Sequence, residues 1–374
     1  MIDPIGRNLI TLASFALAGM ALPGSARAQS PPPADALDAL DAVRSQTTFT
    51  SADDRTVDTW LTARIAELQT AAVGWQAALD DLDADLKAAT TALNAARSGF
   101  LDAFRTQLQH ADNTPAFVGR FAERSGAMMT TRLADGLLPA TVAWFLPRVL
   151  VDMNRIETRD ALIAGLGHDT AAVRGMSAIG LAKLHGQMAP DAAMVRTTID
   201  ALQSAAVTEA NGVALAAMYD AAGYADRPQE SLAAYDAIFA TRIEKRKNRQ
   251  LIIADRAELA AYVYLKSIRR SIPEPAEAPL VRSLAAFLTL DVDRYPNAPA
   301  LEKTTIRERI EAAESLLETL VGPGTGRGNI RKPLREGGAA ADIDMKLELL
   351  KWVGSEAEPG VLNPAPWKVP IGGL

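Results

Sequence analysis

The 374-residue chain contains no cysteine. Disulfides, thiolate nucleophiles and cysteine-based metal sites are therefore all excluded. Aromatic residues make up only 5% of the chain, although 48% of its residues are hydrophobic. A composition poor in aromatics and rich in alanine and leucine favours close helix packing over a β-sandwich, which needs β-branched and aromatic side chains. We therefore predict an all-α fold of antiparallel helix pairs, with enough apolar content for one large core or two domains.

Basic residues are also in deficit, because 39 lysines and arginines face 45 aspartates and glutamates, for a formal net charge of -6. An acidic surface argues against nucleic acid and anionic membranes as general partners.

Long apolar runs are scarce. Leu138–Val151, the most apolar segment after the N-terminus, is shorter than the roughly 20 residues that span a bilayer. We expect this segment to be a buried helix and the mature chain to have no membrane span.

Residues 1–28 have the order of a secretory signal peptide. Arg7 gives a weakly basic start, Leu9–Leu22 is apolar, and an A-x-A motif places cleavage between Ala28 and Gln29. The apolar run is too short for a typical membrane anchor. We therefore expect a periplasmic or secreted protein.

The next segments are predicted to be a proline-rich linker with a short helix over residues 29–50 and a long helical region over residues 51–112. From Leu61 onward, apolar residues recur at steps of three, four or seven, which keeps one stripe on a helix. This pattern fits either one very long helix or an antiparallel hairpin bent near Gly74 or Gly99. The steps drift from a strict heptad, which favours a packed hairpin over a coiled-coil arm.

Residues 113–321 are predicted to be a series of short amphipathic helices, of which Thr158–Met188 contains the most regular pair. Its turn is His168-Asp169-Thr170, and Val173-Arg174 follows with small and large apolar residues at helical spacing. This segment resembles a HEAT repeat. The family's usual pattern has an aspartate five residues before the valine, whereas here His168 has that position and Asp169 comes one residue later.

The resemblance extends over about residues 158–224, because Ala192–Ala205 and Glu209–Tyr224 repeat the helix pair without the Val-Arg signature. HEAT-like repeats stack into solenoids that bind partner proteins and rarely carry out chemistry. The resemblance therefore implies an α-solenoid-like scaffold with a protein partner.

The C-terminal part is predicted to be a Gly-rich loop over residues 322–338, then a last helix and a Pro-rich tail over residues 339–374, the tail either wrapping the molecule or staying loose. Glycines and basic side chains in a loop can hold an anion or an acidic partner. A P-loop also needs Gly-Lys-Ser/Thr between a strand and a helix, which is missing here. A plain loop is the favoured interpretation, and the candidate contact residues are Arg327, Arg331, Lys332 and Arg335.

No metal or cofactor site is predicted. Asp81, Asp83 and Asp85 resemble the start of a calcium loop, but Leu86 and Ala92 stand where that loop needs glycine and glutamate. The only histidines form no close ligand pair, although two of them could be neighbours across one helix pair. These histidines are His110, His168 and His185.

The remaining charge clusters fit solvated helix faces. Two carboxylate pairs, Glu308/Glu311 and Glu314/Glu318, fit such faces better than acid–base catalysis. The basic run Lys245–Lys247 with Arg249 is predicted to form a solvated face or to pair with Glu244 and Asp255, and the functional alternative is a docking patch for an acidic surface.

The sequence favours an exported, non-catalytic scaffold or protein-binding module. A helical enzyme with its site in a cleft between helices is the second hypothesis, and a structural coiled-coil component of the envelope is the third.

Overall fold

A computed structural model describes residues 40–81, 84–136, 138–248, 256–322, 326–338 and 340–373. The expected signal peptide and the first half of the expected linker segment, residues 29–39, lie outside these residues. The described residues contain many α-helices and no β-strand, which confirms the all-α prediction. Among them, no helix combines the length and the apolar content needed to cross a membrane.

The helices follow one another with short connections. Helices α1 to α9 are Asp41–Arg44, Ser51–Asp80, Leu86–Gln109, Pro115–Ala134, Ala140–Ala143, Phe145–Met153, Arg159–Gly165, Ala171–Lys183 and His185–Met188. Helices α10 to α17 are Ala192–Thr208, Gly212–Ala222, Pro228–Lys247, Ala257–Ser267, Glu274–Arg294, Ala300–Val321, Arg331–Glu336 and Ala341–Val353. Short 3-10 turns are formed by Ile156–Thr158, Arg269–Ser271 and Tyr295–Asn297.

Helices α2 and α3 form an antiparallel hairpin rather than one long helix. The chain reverses after Asp80, and Asp85 caps α3 by accepting the N–H of Ala88 at 2.9 Å. The predicted bend near Gly74 or Gly99 is wrong, since both glycines lie inside helices. A helical glycine costs only about 1 kcal/mol relative to alanine, which a packed hairpin easily offsets.

The helices after the hairpin stack in two layers. In one layer α4, α7, α10, α12, α14 and α17 follow one another, and in the other α6, α8, α11, α13 and α15 do so. The hairpin begins the stack, because α2 contacts α4 and α3 contacts α6. Each helix mainly contacts its neighbours in the stack, as in an α-solenoid. The structure is therefore compatible with a helical repeat.

The scarce aromatic residues are concentrated at joints of this stack. Trp60 of α2 contacts Phe104 of α3 and Phe121 of α4, with ring centroids 5.1 and 5.5 Å apart. Farther along, Phe239 of α12 meets Phe287 of α14 edge-on at 5.3 Å. Such pairs contribute about 0.5–1.5 kcal/mol beyond their burial. Large aromatic rings therefore stabilise the contacts between successive helices of this alanine-rich stack.

Two proline- and glycine-rich segments of the C-terminal part contain helix. Pro275 lies in the first turn of α14, and Pro279 lies inside that helix. A proline in a first helical turn removes an N–H that has no partner within the helix. The predicted loop over residues 322–338 contains the short helix α16, Arg331–Glu336.

The Pro-rich tail wraps back onto the last helices. The N–H groups of Val361 and Leu362 donate to the carbonyls of Lys351 and Trp352, at 3.0 and 2.9 Å. Leu362 is fully buried. The tail therefore closes the C-terminal end of the core.

Candidate functional site

The basic residues predicted to contact an anion lie in α16 or just before it. The Nε of Arg331 is 3.0 Å from a carboxylate oxygen of Glu314, and the Nε of Arg335 is 3.3 Å from one of Glu311. Lys332 is exposed, and the Nε and Nη2 atoms of Arg327 are buried without a hydrogen-bond partner among the described residues. The structure thus turns Arg331 and Arg335 towards carboxylates of α15.

Glu314 acts as an internal anion for this segment. It accepts the backbone N–H groups of Ile330 and Arg331 at 2.7 and 3.0 Å, and the indole N–H of Trp352 at 3.2 Å. Burial raises the pKa of the Glu314 carboxyl above its ordinary value, and these hydrogen bonds oppose the rise. The prediction that Glu314 lies on a solvated face is wrong, since its side chain is fully buried. The Glu314 carboxylate thus already binds the N–H groups and the Arg331 guanidinium that an external anion would need.

A second set of buried and half-buried charges begins at the helix pair that resembles a HEAT repeat. Arg174 of α8 binds Glu209 through two nitrogen–oxygen contacts of 2.6 and 2.8 Å. The same guanidinium donates to the carbonyls of His168 and Asp169. Burial would raise the pKa of Glu209, but hydrogen bonds from Arg174 and Asn211 leave it below its ordinary value. The acidic partner of Arg174 therefore comes from the turn after α10.

The buried charges continue through the next helices. Glu258 accepts Arg242 at 2.8 Å and Arg246 at 2.6 Å. Asp291 accepts Arg246 at 3.2 Å and Arg309 at 2.6 Å. Although burial opposes ionisation of Glu258, the charges of Arg246 and Arg242 lower its pKa to about 2. All five side chains are at most 8% exposed.

We call the ion pairs of the two preceding paragraphs together the charge ladder. Removing one partner of a buried ion pair typically costs about 3–5 kcal/mol, because the other charge is left buried. The ladder therefore fixes how successive helices of the stack sit against one another. Its members are Arg174, Glu209, Arg242, Arg246, Glu258, Asp291 and Arg309.

The residues of the basic run Lys245–Lys247, which was considered as a docking patch, have separate partners within the molecule. Arg246 is buried within the ladder, Lys245 donates to the carbonyl of Val207 at 2.9 Å, and Lys247 pairs with Glu244 at 3.1 Å. The predicted pairing with Glu244 is thus present at Lys247. Arg249 and Asp255 lie outside the described residues.

Sequence reasoning did not identify Glu258, Asp291 or Arg309. A signal existed at Arg309, because it lies on the same helical face as the buried residues Ile306 and Ala313. A charged residue inside an apolar stripe is unusual unless it is paired. The identity of its partner depends on which helices meet, and the sequence does not show that.

The histidines have separate local roles. His168 accepts the N–H of Thr170 at 2.9 Å in the turn before α8. The Nε2 of His185 lies 2.7 Å from the carbonyl of Ala221, and the ring stacks on Tyr224. Burial lowers the pKa of both His168 and His185. Burial therefore favours the neutral form of both rings. His110 accepts the N–H of Asp112 at 3.3 Å.

Metal ligands and clefts can be examined in the part of the chain that the structure describes. No group of three potential ligands among these residues could hold a metal ion. A groove of about 290 Å³ lies between α12 and α14. It offers one carboxylate and no histidine, and its lining residues are Gln229, Leu232, Ala233, Asp236, Pro273, Pro275, Ala276, Pro279 and Leu280.

No protein-family model matches the chain, and no curated protein and no solved structure matches it. The likeness of residues 158–224 to a HEAT repeat therefore rests on those residues and on the paired helices that they form.

Proposed function

We propose that the mature chain is an exported, non-catalytic helical scaffold that binds another protein through the end of its α2–α3 hairpin. The observation that carries this proposal is the hairpin tip, which we define as residues 73–81 and 84–92. Its described residues have no buried side chain, whereas Ala72 and Leu93 at its base are buried. At 1.5 Å per helical residue, the tip extends roughly 12 Å beyond the packed part of the hairpin.

The chemistry of the hairpin tip suits a protein partner. Val73, Leu79 and Leu86 are each more than 40% exposed. Contiguous exposed apolar surface marks interaction sites, and all three side chains belong to the hairpin tip. Exposed Asp80 and Asp81 lie beside them. The favoured partner therefore has an apolar patch edged by basic residues.

A hydrogen bond joins the two helices within the tip. The indole N–H of Trp75 donates to the hydroxyl of Thr90 at 3.0 Å, which ties the outer part of α2 to α3. A surface that is ordered in advance loses less conformational entropy on binding. This supports a binding role for the hairpin.

The test is affinity capture from a periplasmic extract of the host organism, with mass spectrometry of the bound proteins. Three baits are compared, namely the mature chain, its Leu79→Ser/Leu86→Ser variant, and a Val263→Ser control. Val263 is 71% exposed on α13, away from the tip in sequence. We expect one protein to be enriched by the mature chain and the control and lost by the double variant.

Circular dichroism of each bait verifies that the helices remain folded. An extract that yields no enriched protein, or a partner retained equally by the double variant, contradicts the proposal.

A further inference from the structure

The last helix of the stack, α17, has two apolar sides. Its inner side packs against α14 and α16 and buries Met345, Leu349 and Trp352. On its outer side, Ile343, Leu347 and Leu350 are 64%, 54% and 39% exposed. A helix that ends a stack of this kind normally presents a polar outer face to water. The outer side of α17 therefore has the character of an interface.

The three outer residues form one stripe, which we call the α17 stripe. They are spaced at i, i+4 and i+7, which places them along one side of a helix. On α17, the hydrogen bonds of the described tail residues are confined to the C-terminal end, at the carbonyls of Lys351, Trp352 and Val353. Within the described residues, the tail therefore leaves the stripe exposed.

The charged residues beside the α17 stripe indicate what kind of surface would bind it. Asp344 and Lys351 lie along one flank of the stripe at i and i+7, and both are exposed. Among the described residues Asp344 makes no ion pair, and the ammonium of Lys351 pairs only with Glu348 of its own helix, at 2.6 Å. The flank therefore has one negative end and one positive end, which is the pattern of a self-complementary surface.

We propose that two copies of this chain pair through their α17 stripes, with the helices antiparallel around a two-fold axis near Leu347. This arrangement sets Asp344 of each copy opposite Lys351 of the other, twice. It also brings Ile343 of one copy next to Leu350 of the other. In a parallel two-fold pairing the two charged flanks would lie on opposite sides of the interface, so Asp344 and Lys351 would not meet.

The pairing is weak and depends on protein concentration. Three partly exposed side chains bury much less than the roughly 800 Å² per partner of a standard interface. Sedimentation velocity of the mature chain over a wide concentration range measures it. We expect a monomer at low concentration and a dimer at high concentration. Leu347→Glu removes the dimer, and Val263→Glu leaves the association unchanged.

The absence of cysteine makes the geometry directly testable, because each introduced cysteine is the only one in the chain. Under mild oxidation, Leu347→Cys forms a disulfide-linked dimer. Ile343→Cys alone does not, since antiparallel helices separate the two copies of this position by roughly 13 Å. A mixture of Ile343→Cys and Leu350→Cys chains forms the mixed dimer. Self-crosslinking of Ile343→Cys would overturn the antiparallel arrangement.

A charge exchange tests the flank. Asp344→Lys and Lys351→Asp each shift the association to higher concentration, and the double variant restores it. A double variant that associates no better than the singles contradicts the proposed pairing.

A chain that stays monomeric at every concentration also overturns the proposal. In that case, slow thiol labelling of Leu347→Cys shows that another segment of the same chain covers the stripe, and rapid labelling shows an open surface.

The inference goes beyond the proposed function, because self-pairing needs no second protein. The two proposals can fail separately. If both are correct, Leu347→Glu abolishes the dimer but leaves capture of the partner protein at the hairpin tip unchanged.

Discussion

At the scale of single residues, Glu258 has the most demanding position in the charge ladder. Its side chain is fully buried, and it balances two arginines that belong to α12. A buried carboxylate of this kind stabilises the fold only while it is ionised. The stack therefore depends on the charge of Glu258 as much as on its packing.

This dependence gives a pH prediction. The pKa of Glu258 is lowered from 4.5 to about 2 by its arginine partners. A carboxyl with a lowered pKa in the folded state contributes stability above its unfolded pKa and loses it as the pH falls. We expect the contribution to be complete above about pH 4.5 and to disappear as the pH falls towards 2. Urea unfolding at pH 7, 4.5 and 3 measures the free energy of unfolding across this window.

The matched variants are Glu258→Gln and Glu67→Gln. We expect Glu258→Gln to lower the free energy of unfolding at pH 7 by about 3–5 kcal/mol and to flatten its decline in acid. Glu67 pairs with Arg64 at the surface, so its substitution changes stability by less than about 1 kcal/mol. Equal acid slopes for wild type and Glu258→Gln would show that Glu258 does not control this window.

At the scale of the elements, α8 and α11 pack through small residues. A Cβ placed on Gly175 would be 3.3 Å from the Cα of Ala214. The two helix backbones therefore approach as closely as alanine and glycine allow. This is where the alanine-rich composition is used, since large side chains would separate the helix pairs.

We therefore predict that Gly175→Leu lowers the free energy of unfolding by about 1–3 kcal/mol, because it overpacks the contact between α8 and α11. Gly99→Leu is the control. Gly99 lies inside α3 with nothing within 4 Å of its added Cβ, so leucine there gains helix propensity without a clash. Thermal unfolding followed by circular dichroism compares the two. A Gly175→Leu variant as stable as Gly99→Leu would show that the contact tolerates separation.

Local rules predicted many elements well and missed others for identifiable reasons. The periodic stripe after Leu61 indicated a helical hairpin, because one apolar face must be buried against something. The bend was misplaced, because the turn depends on how α2 and α3 align along each other. The helix α16 was missed because it is short, and its first N–H groups are satisfied by Glu314 from another helix.

At the scale of the whole molecule, the tail is the closing piece of the stack. Leu362 and Val369 are buried, and the N–H of Gly372 donates to the carbonyl of Val353 at 3.2 Å. The guanidinium of Arg282 on α14 donates to the carbonyl of Trp367 at 3.2 Å. A Pro-rich sequence without helix or strand thus covers core residues that would otherwise face water.

We predict that Leu362→Ala lowers the free energy of unfolding by about 2–5 kcal/mol, since it leaves a cavity beneath the tail. Ile371→Ala changes it by no more than about 0.5 kcal/mol, because Ile371 is 56% exposed in the same tail. Chemical denaturation of both variants is the measurement. Similar small effects would mean that the tail contributes little to stability.

The sequence by itself determined the class of the molecule: helices without strands, no disulfide, and short amphipathic pairs. Those properties are local, because composition and apolar periodicity act over a few turns of chain. Only the tertiary structure decided that Glu314 would satisfy α16, that Arg246 would join Glu258 to Asp291, and that the α17 stripe would stay uncovered. Each of these depends on which distant helices meet, and a buried charge or an exposed apolar face is defined only by its neighbours.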